Sequence, residues 1–148
     1  MLTAEMKQLI SDHSAGSVAT VNDDGTPSVS PKATFIIVDD TTIAFGNIRS
    51  PGTVDNLKDR PAVEVSFLDV ILRRAVRVTG TGAFVRKADA DAVMAGRFRE
   101  KYGDFVDRMH GFVVISISAA EYILSPAYDR GETEDTLRET FRAHYSSL

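Results

Sequence analysis

The chain has 148 residues, 43% of them hydrophobic and 26% charged, which is enough apolar side chain to offset the entropy of ordering and a length that suits a single domain over 1–148. A net charge of −4 and a pI near 5.3 argue against a phosphate-backbone partner such as DNA, which asks for a strong excess of Lys and Arg. The absence of cysteine excludes a disulfide framework, a thiolate metal site and a cysteine nucleophile, and with no leader-like N-terminus and no strongly apolar run longer than Phe35 to Val38 the expectation is a soluble cytoplasmic protein without a membrane or nucleic-acid partner.

Thr3 to about Ser11 reads as a short helix, with Thr3 as cap and Met6, Leu9 and Ile10 on one face. Ser17 to Asn22 reads as a strand, and Asp23-Asp24-Gly25-Thr26-Pro27 as the turn of a hairpin. The next extended segment, Ser28 to Phe35, is interrupted by Pro31, which donates no ladder hydrogen bond and favours an edge or a bulge. Phe35 to Val38 and Thr42 to Phe45 form another strand pair across the turn residues Asp39-Asp40.

Ser50-Pro51 starts a helix over 50–59 that Arg60-Pro61 stops. Ala62 to Leu68 alternates Val63, Val65 and Phe67 with Glu64 and Ser66, the period of a half-buried strand. A longer strand follows over Arg73 to Val85, where Gly80 and Gly82 suit a bend. Asp89 to Tyr102 is an amphipathic helix expected across a barrel opening, Phe112 to Leu124 a final strand region, and Glu134 to Tyr145 a C-terminal helix striped by Leu137, Phe141 and Tyr145. Six or so strands with short helices favour a mainly β, α+β chain folded as a closed or nearly closed antiparallel barrel.

One junction has the parts of an anion site. At Gly46-Asn47-Ile48-Arg49-Ser50-Pro51-Gly52-Thr53 a strand hands over to a helix whose first N–H groups lack intrahelical partners. Arg49 adds a guanidinium, Ser50 and Thr53 add hydroxyls, and Gly52 permits close approach. Lys32 is a second cation that a small barrel can bring near Arg49. The alternative on these residues alone is that Ser50 only caps its own helix and that Lys32 and Arg49 are solvated surface cations.

Other chemistries find less support. His13, His110 and His144 are scattered at no metal-ligand spacing and read as surface residues, and neither a nucleophile elbow, a Walker loop nor a dinucleotide-binding glycine fingerprint is present. Arg73-Arg74 lacks the interleaved aromatics of an RNA patch and suits a partner subunit or an anionic cofactor better.

Val18-Ala19-Thr20-Val21-Asn22, Asp24-Gly25-Thr26-Pro27, Ser30-Pro31-Lys32 and Phe45-Gly46-Asn47-Ile48-Arg49-Ser50-Pro51-Gly52-Thr53-Val54-Asp55-Asn56-Leu57 resemble, in order and spacing, the pyridoxamine 5'-phosphate oxidase-like FMN-binding split-barrel family. The likeness runs from about Ser17 to Gly82. It implies a six-stranded split barrel that dimerises, with FMN in a groove between subunits. Lys32 and Arg49 would face the phosphate, Ser50 and Thr53 would donate to it, and backbone around Ala33, Thr34, Gly46 and Asn47 would line the flavin. Arg74 and Tyr128 would come from the second subunit. The implied activity is that of a flavin-dependent oxidoreductase on an unidentified small molecule, the alternatives being a deazaflavin-dependent reductase of the same fold or a non-catalytic flavin-binding protein. Arg142-Ala143-His144 has the Arg-x-His spacing of the substrate motif of the true oxidases, though helix periodicity turns such residues to solvent.

Overall fold

The computed structural model describes residues 1–148. Seven strands form one antiparallel sheet: β1 Gly16–Val21, β2 Pro27–Lys32, β3 Phe35–Asp39, β4 Thr42–Asn47, β5 Ala62–Asp69, β6 Arg74–Arg86 and β7 Gly111–Leu124. The α-helices are α1 Ala4–Asp12, α2 Pro51–Asp59, α3 Ala92–Tyr102 and α4 Glu134–Ser146. The strand order is β2-β1-β5-β6-β7-β4-β3, so β2 and β3, adjacent in the chain, are the two outer strands. Every pairing is antiparallel, which makes β2 and β3 run in the same direction. They are one bent strand broken at Ala33-Thr34, which is why the split barrel has seven ladder strands where six were expected. Pro31 sits on the edge strand β2, paired only with Ser17, where its missing N–H is harmless.

The main core lies inside the sheet, and its centre is Phe35, packed against Phe67 with ring centroids 4.8 Å apart and against Phe45 at 5.2 Å. Alternation along each strand supplies the rest: Val63, Val65 and Phe67 from β5, Val76 and Val78 from β6, Ile43 and Phe45 from β4. α1 and α2 plug opposite ends. Thr3 caps α1, accepting from the Met6 amide, and Met6, Leu9 and Ile10 enter the core. At the other end Val54 and Leu57 of α2 do the same. The bend in β6 falls at Gly80, where the ladder with β7 shifts register. A Cβ there would lie 2.1 Å from the Ser116 carbonyl oxygen, so only glycine fits.

α3 does not lie across an opening. Met94 and Phe98 pack with Ile36, Ala44, Val106, Met109 and Phe112 in a second cluster. Ala44 alternates with the core residues Ile43 and Phe45, so this cluster is on the outside of β3, β4 and β7. The physical reason is that both faces of β4 and of the first half of β7 are apolar, and the outer face needs a cover.

Candidate functional site

The site is built where the bent strand breaks. The Thr34 hydroxyl donates to the Gly46 carbonyl at 2.9 Å, and the Gly46 amide is within 3.2 Å of the Thr34 carbonyl and 3.1 Å of its hydroxyl. This joins Ala33-Thr34 to Gly46-Asn47, bringing together four of the sequence-predicted site residues. Lys32 immediately precedes the pair on one strand and Arg49 follows it on the other.

Ser28, Ser30 and Lys32 pair with Thr20, Val18 and Gly16. Val18 is a core residue, so this face of β2 looks inward, yet its side chains are polar. α2 forms the opposite wall. The Asn56 amide donates to Thr20 and Asn22, each at 3.0 Å, and the Arg60 guanidinium donates to the Val21 carbonyl. These bonds fix the C-terminal end of α2 beside β1. Five of the six buried polar residues of the whole chain, Thr20, Asn47, Ser50, Thr53 and Asn56, belong to these elements or to the β4–α2 junction.

The start of α2 carries polar groups that its own first turn leaves unused. Ser50 is the N-cap of α2, buried at 6% exposure, but its side chain makes no capping hydrogen bond. The alternative in which Ser50 merely caps its own helix therefore fails. Pro51 at the first helical position leaves the orphan amides to the residues after it. A Cβ added at Gly52 would meet nothing within 4 Å, so the backbone there stands in open space.

Three buried polar atoms in the chain have no hydrogen-bond partner: Ser30 Oγ, Asn47 Oδ1 and Tyr122 Oη. Asn47 shares the inward parity of Ile43 and Phe45, so the first two both point to the inner face of the sheet. The cations complete the pattern. Of the 17 lysines and arginines, only Lys32, Arg49, Arg130 and Arg142 touch no carboxylate, backbone carbonyl or aromatic ring. Burial holds the Lys32 ammonium below the usual lysine range.

Three residues that the sequence did not single out hold this region from outside. Tyr102 of α3 donates to the Phe35 carbonyl at 2.6 Å and lies 3.3 Å from that of Ala33, Lys101 donates to the Phe35 carbonyl at 3.0 Å, and Arg97 reaches those of Ile37 and Val38. They satisfy the free edge of β3. Burial raises the Tyr102 pKa and lowers that of Lys101. Only the Arg97, Lys101, Tyr102 spacing on one helix hinted at this, and their target carbonyls leave no mark in a sequence.

Arg74 and Tyr128 are placed elsewhere. Arg74 starts β6 at the α1 end, bonded to Asp69 at 3.3 Å and Glu134 at 3.0 Å, while Arg86, level with Asn47 across β7, ends it. Those 13 residues span about 40 Å of strand. The Tyr128 hydroxyl donates to the Leu72 carbonyl at 2.6 Å. One chain does not bring these two to Arg49. His13 is not a plain surface histidine, since its Nε2 is 3.4 Å from buried Asp69, which also accepts from the amides of Ile71 and Leu72. Arg142 lines a 240 Å³ cleft with His13, Asp69 and Arg74, whereas His144 is exposed against Tyr145. Two residues apart on a helix, Arg142 and His144 point to different sides. Arg73, in the left-handed backbone region at φ 53°, stacks its guanidinium 3.8 Å over Phe141 and so clips α4 to the barrel.

A barrel split at one bent strand, with polar side chains gathered on the inner face beside the break, defines a small split-barrel protein. Residues 2–125 match the pyridoxamine 5'-phosphate oxidase family, and the chain belongs to that family. No functionally curated protein is significantly similar to it in sequence. Among solved structures, the HupZ protein of Group A Streptococcus superposes with a TM-score of 0.72 at 25% identity, covering 84% of this chain and 96% of that one. An FMN-binding protein from Syntrophomonas wolfei gives 0.66 at 14%, covering 81% and 84%, and an F420 reductase gives 0.63 at 21%, covering 81% and 98%. The last two are likenesses of fold.

Proposed function

We propose that the chain binds FMN in the slot behind Ala33-Thr34 and works as a flavin-dependent oxidoreductase on a small molecule. The observation that carries this reading is the pair of uncommitted cations, Lys32 and Arg49, flanking a slot whose Ser50 hydroxyl makes no capping bond and whose Asn47 carbonyl oxygen is orphaned. The donor set fits a phosphomonoester: two cations, the Ser50 and Thr53 hydroxyls and the first amides of α2. Asn47 Oδ1 is an acceptor for a ring N–H, and backbone at Ala33, Thr34 and Gly46 lines the same space. Bound FMN supplies the electron transfer itself, and the protein's part is to bind, orient and keep water from the ring.

The groove is completed by a second copy. The outer face of β2, β1, β5, β6 and the end of β7 has no cover; it carries small side chains at Ala19, Ala75 and Ala119, a Glu64–Arg77–Glu121 ion triad, and exposed Val29 (66%) and Leu68 (49%). Pairing this face in a homodimer buries Val29 and Leu68 and carries Arg74 and Tyr128 of each subunit toward the other's slot, which their own chain does not do. A deazaflavin is the second reading, favoured by the fold shared with an F420 reductase. Fluorescence titration with FMN tests the first reading, and competition by the deazaflavin tests the second.

A further inference from the structure

We propose that Ser30, which neither helix capping nor any internal contact explains, is a phosphate-binding residue of this slot, its hydroxyl donating to the cofactor's phosphate beside Lys32. The inference rests on the FMN reading and extends it to a residue on the wall opposite α2.

Ser30 is paired with Val18, a residue of the main core, so its side chain points into the barrel. Its Oγ is buried and has no hydrogen-bond partner. A hydroxyl left in that state costs stability that an alanine methyl would not cost, so the fold gains nothing from it. Two residues on, and on the same face of β2, stands Lys32, a cation with no carboxylate partner whose charge is disfavoured by burial. Both defects are removed by one group: an anion with several acceptor oxygens accepts a hydrogen bond from the Ser30 hydroxyl and neutralises Lys32 at once. α2 runs back from the Asn56–Thr20 contact toward Ser50 as β2 runs forward from Ser28 toward Lys32, so the two walls keep Ser30 and Lys32 across from Thr53 and Ser50. A tetrahedral phosphate presents oxygens to both walls. A planar ring does not.

Binding of FMN and of riboflavin, which has the same ring but no phosphate, is measured by fluorescence titration for the wild type, Ser30→Ala and Ser30→Thr, with melting of each protein recorded without ligand. The expected result is that Ser30→Ala melts no lower than the wild type, binds FMN about tenfold more weakly and binds riboflavin unchanged, while Ser30→Thr keeps the FMN affinity. Equal losses for FMN and riboflavin, or an unchanged FMN affinity in Ser30→Ala, overturn the role of Ser30 while leaving the FMN reading intact. Failure of the wild type to bind FMN overturns that reading and the role of Ser30 with it.

Discussion

Thr34 and Gly46 hold each other across the break in the bent strand, the hydroxyl of one donating to the carbonyl of the other while the glycine amide points back at both oxygens of the threonine. Gly46 also has Met109 directly over it: a Cβ would lie 2.2 Å from the thioether sulfur. Thr34→Val removes a donor and an acceptor that the two strands share, and is expected to lower stability by about 1–2 kcal/mol. Gly46→Ala is expected to cost about 1–3 kcal/mol, because Met109 is part of the packed outer cluster. Chemical denaturation of each variant measures both.

Arg49 is exposed and uncommitted, so Arg49→Ala is expected to leave the denaturation midpoint within experimental error of the wild type while weakening FMN binding about tenfold or more. An equal loss of stability and binding would assign Arg49 to the fold instead.

Lys32 gives the binding a pH signature. Burial lowers its pKa in the free protein, so its charge costs the fold stability near neutrality and that cost disappears as pH rises toward the value of an unfolded lysine. An anionic ligand needs the charged form. FMN affinity should therefore rise as the phosphate loses its second proton near pH 6 and fall again on the alkaline side as Lys32 discharges below the ordinary lysine range. Lys32→Arg, which stays charged, should keep the acidic limb and lose the alkaline one. Titration of the dissociation constant against pH reads both limbs directly.

Tyr102 and Lys101 share one acceptor, the Phe35 carbonyl. Either donor alone satisfies it, so Tyr102→Phe and Lys101→Met are each expected to cost about 1 kcal/mol or less and the double variant clearly more than their sum. A double-mutant cycle by urea denaturation tests this, and simple additivity would show that the two side chains act on different groups.

The uncovered outer face predicts assembly. Leu68→Glu places a charge among the residues that a homodimer through this face would bury and is expected to give a monomer in sedimentation. The monomer should hold FMN more weakly, because Arg74 and Tyr128 then have no second slot to reach.

Much of the barrel was legible because its signals are local. Alternation in Val63 to Phe67, turn chemistry at Asp23 to Pro27 and proline after a cap at Ser50-Pro51 each act within a few residues, and the elements they mark lie within a residue or two of their expected places, whereas α3 starts three residues later than expected and the extended segment from Ser28 breaks after Lys32. The cover made by α3 was not legible: an amphipathic stripe says that a helix is covered on one side, not which face of which sheet covers it. The doubly apolar β4 carried that information, but its meaning depends on β7 lying beside it. Lys32, Arg49, Ser50 and Thr53 were readable as the parts of an anion site. The orphaned state of Ser30 and Asn47 was not, because it is defined by partners that long-range packing fails to supply.

The central claim is that the slot behind Ala33-Thr34 holds a flavin phosphate. Isothermal titration of the wild type and of the Lys32→Ala/Arg49→Ala double variant with FMN tests it most directly. The expected result is one FMN per subunit for the wild type and loss of binding by about a hundredfold or more in the double variant with the fold intact. Binding of FMN with equal affinity by both proteins, or by neither, would contradict it.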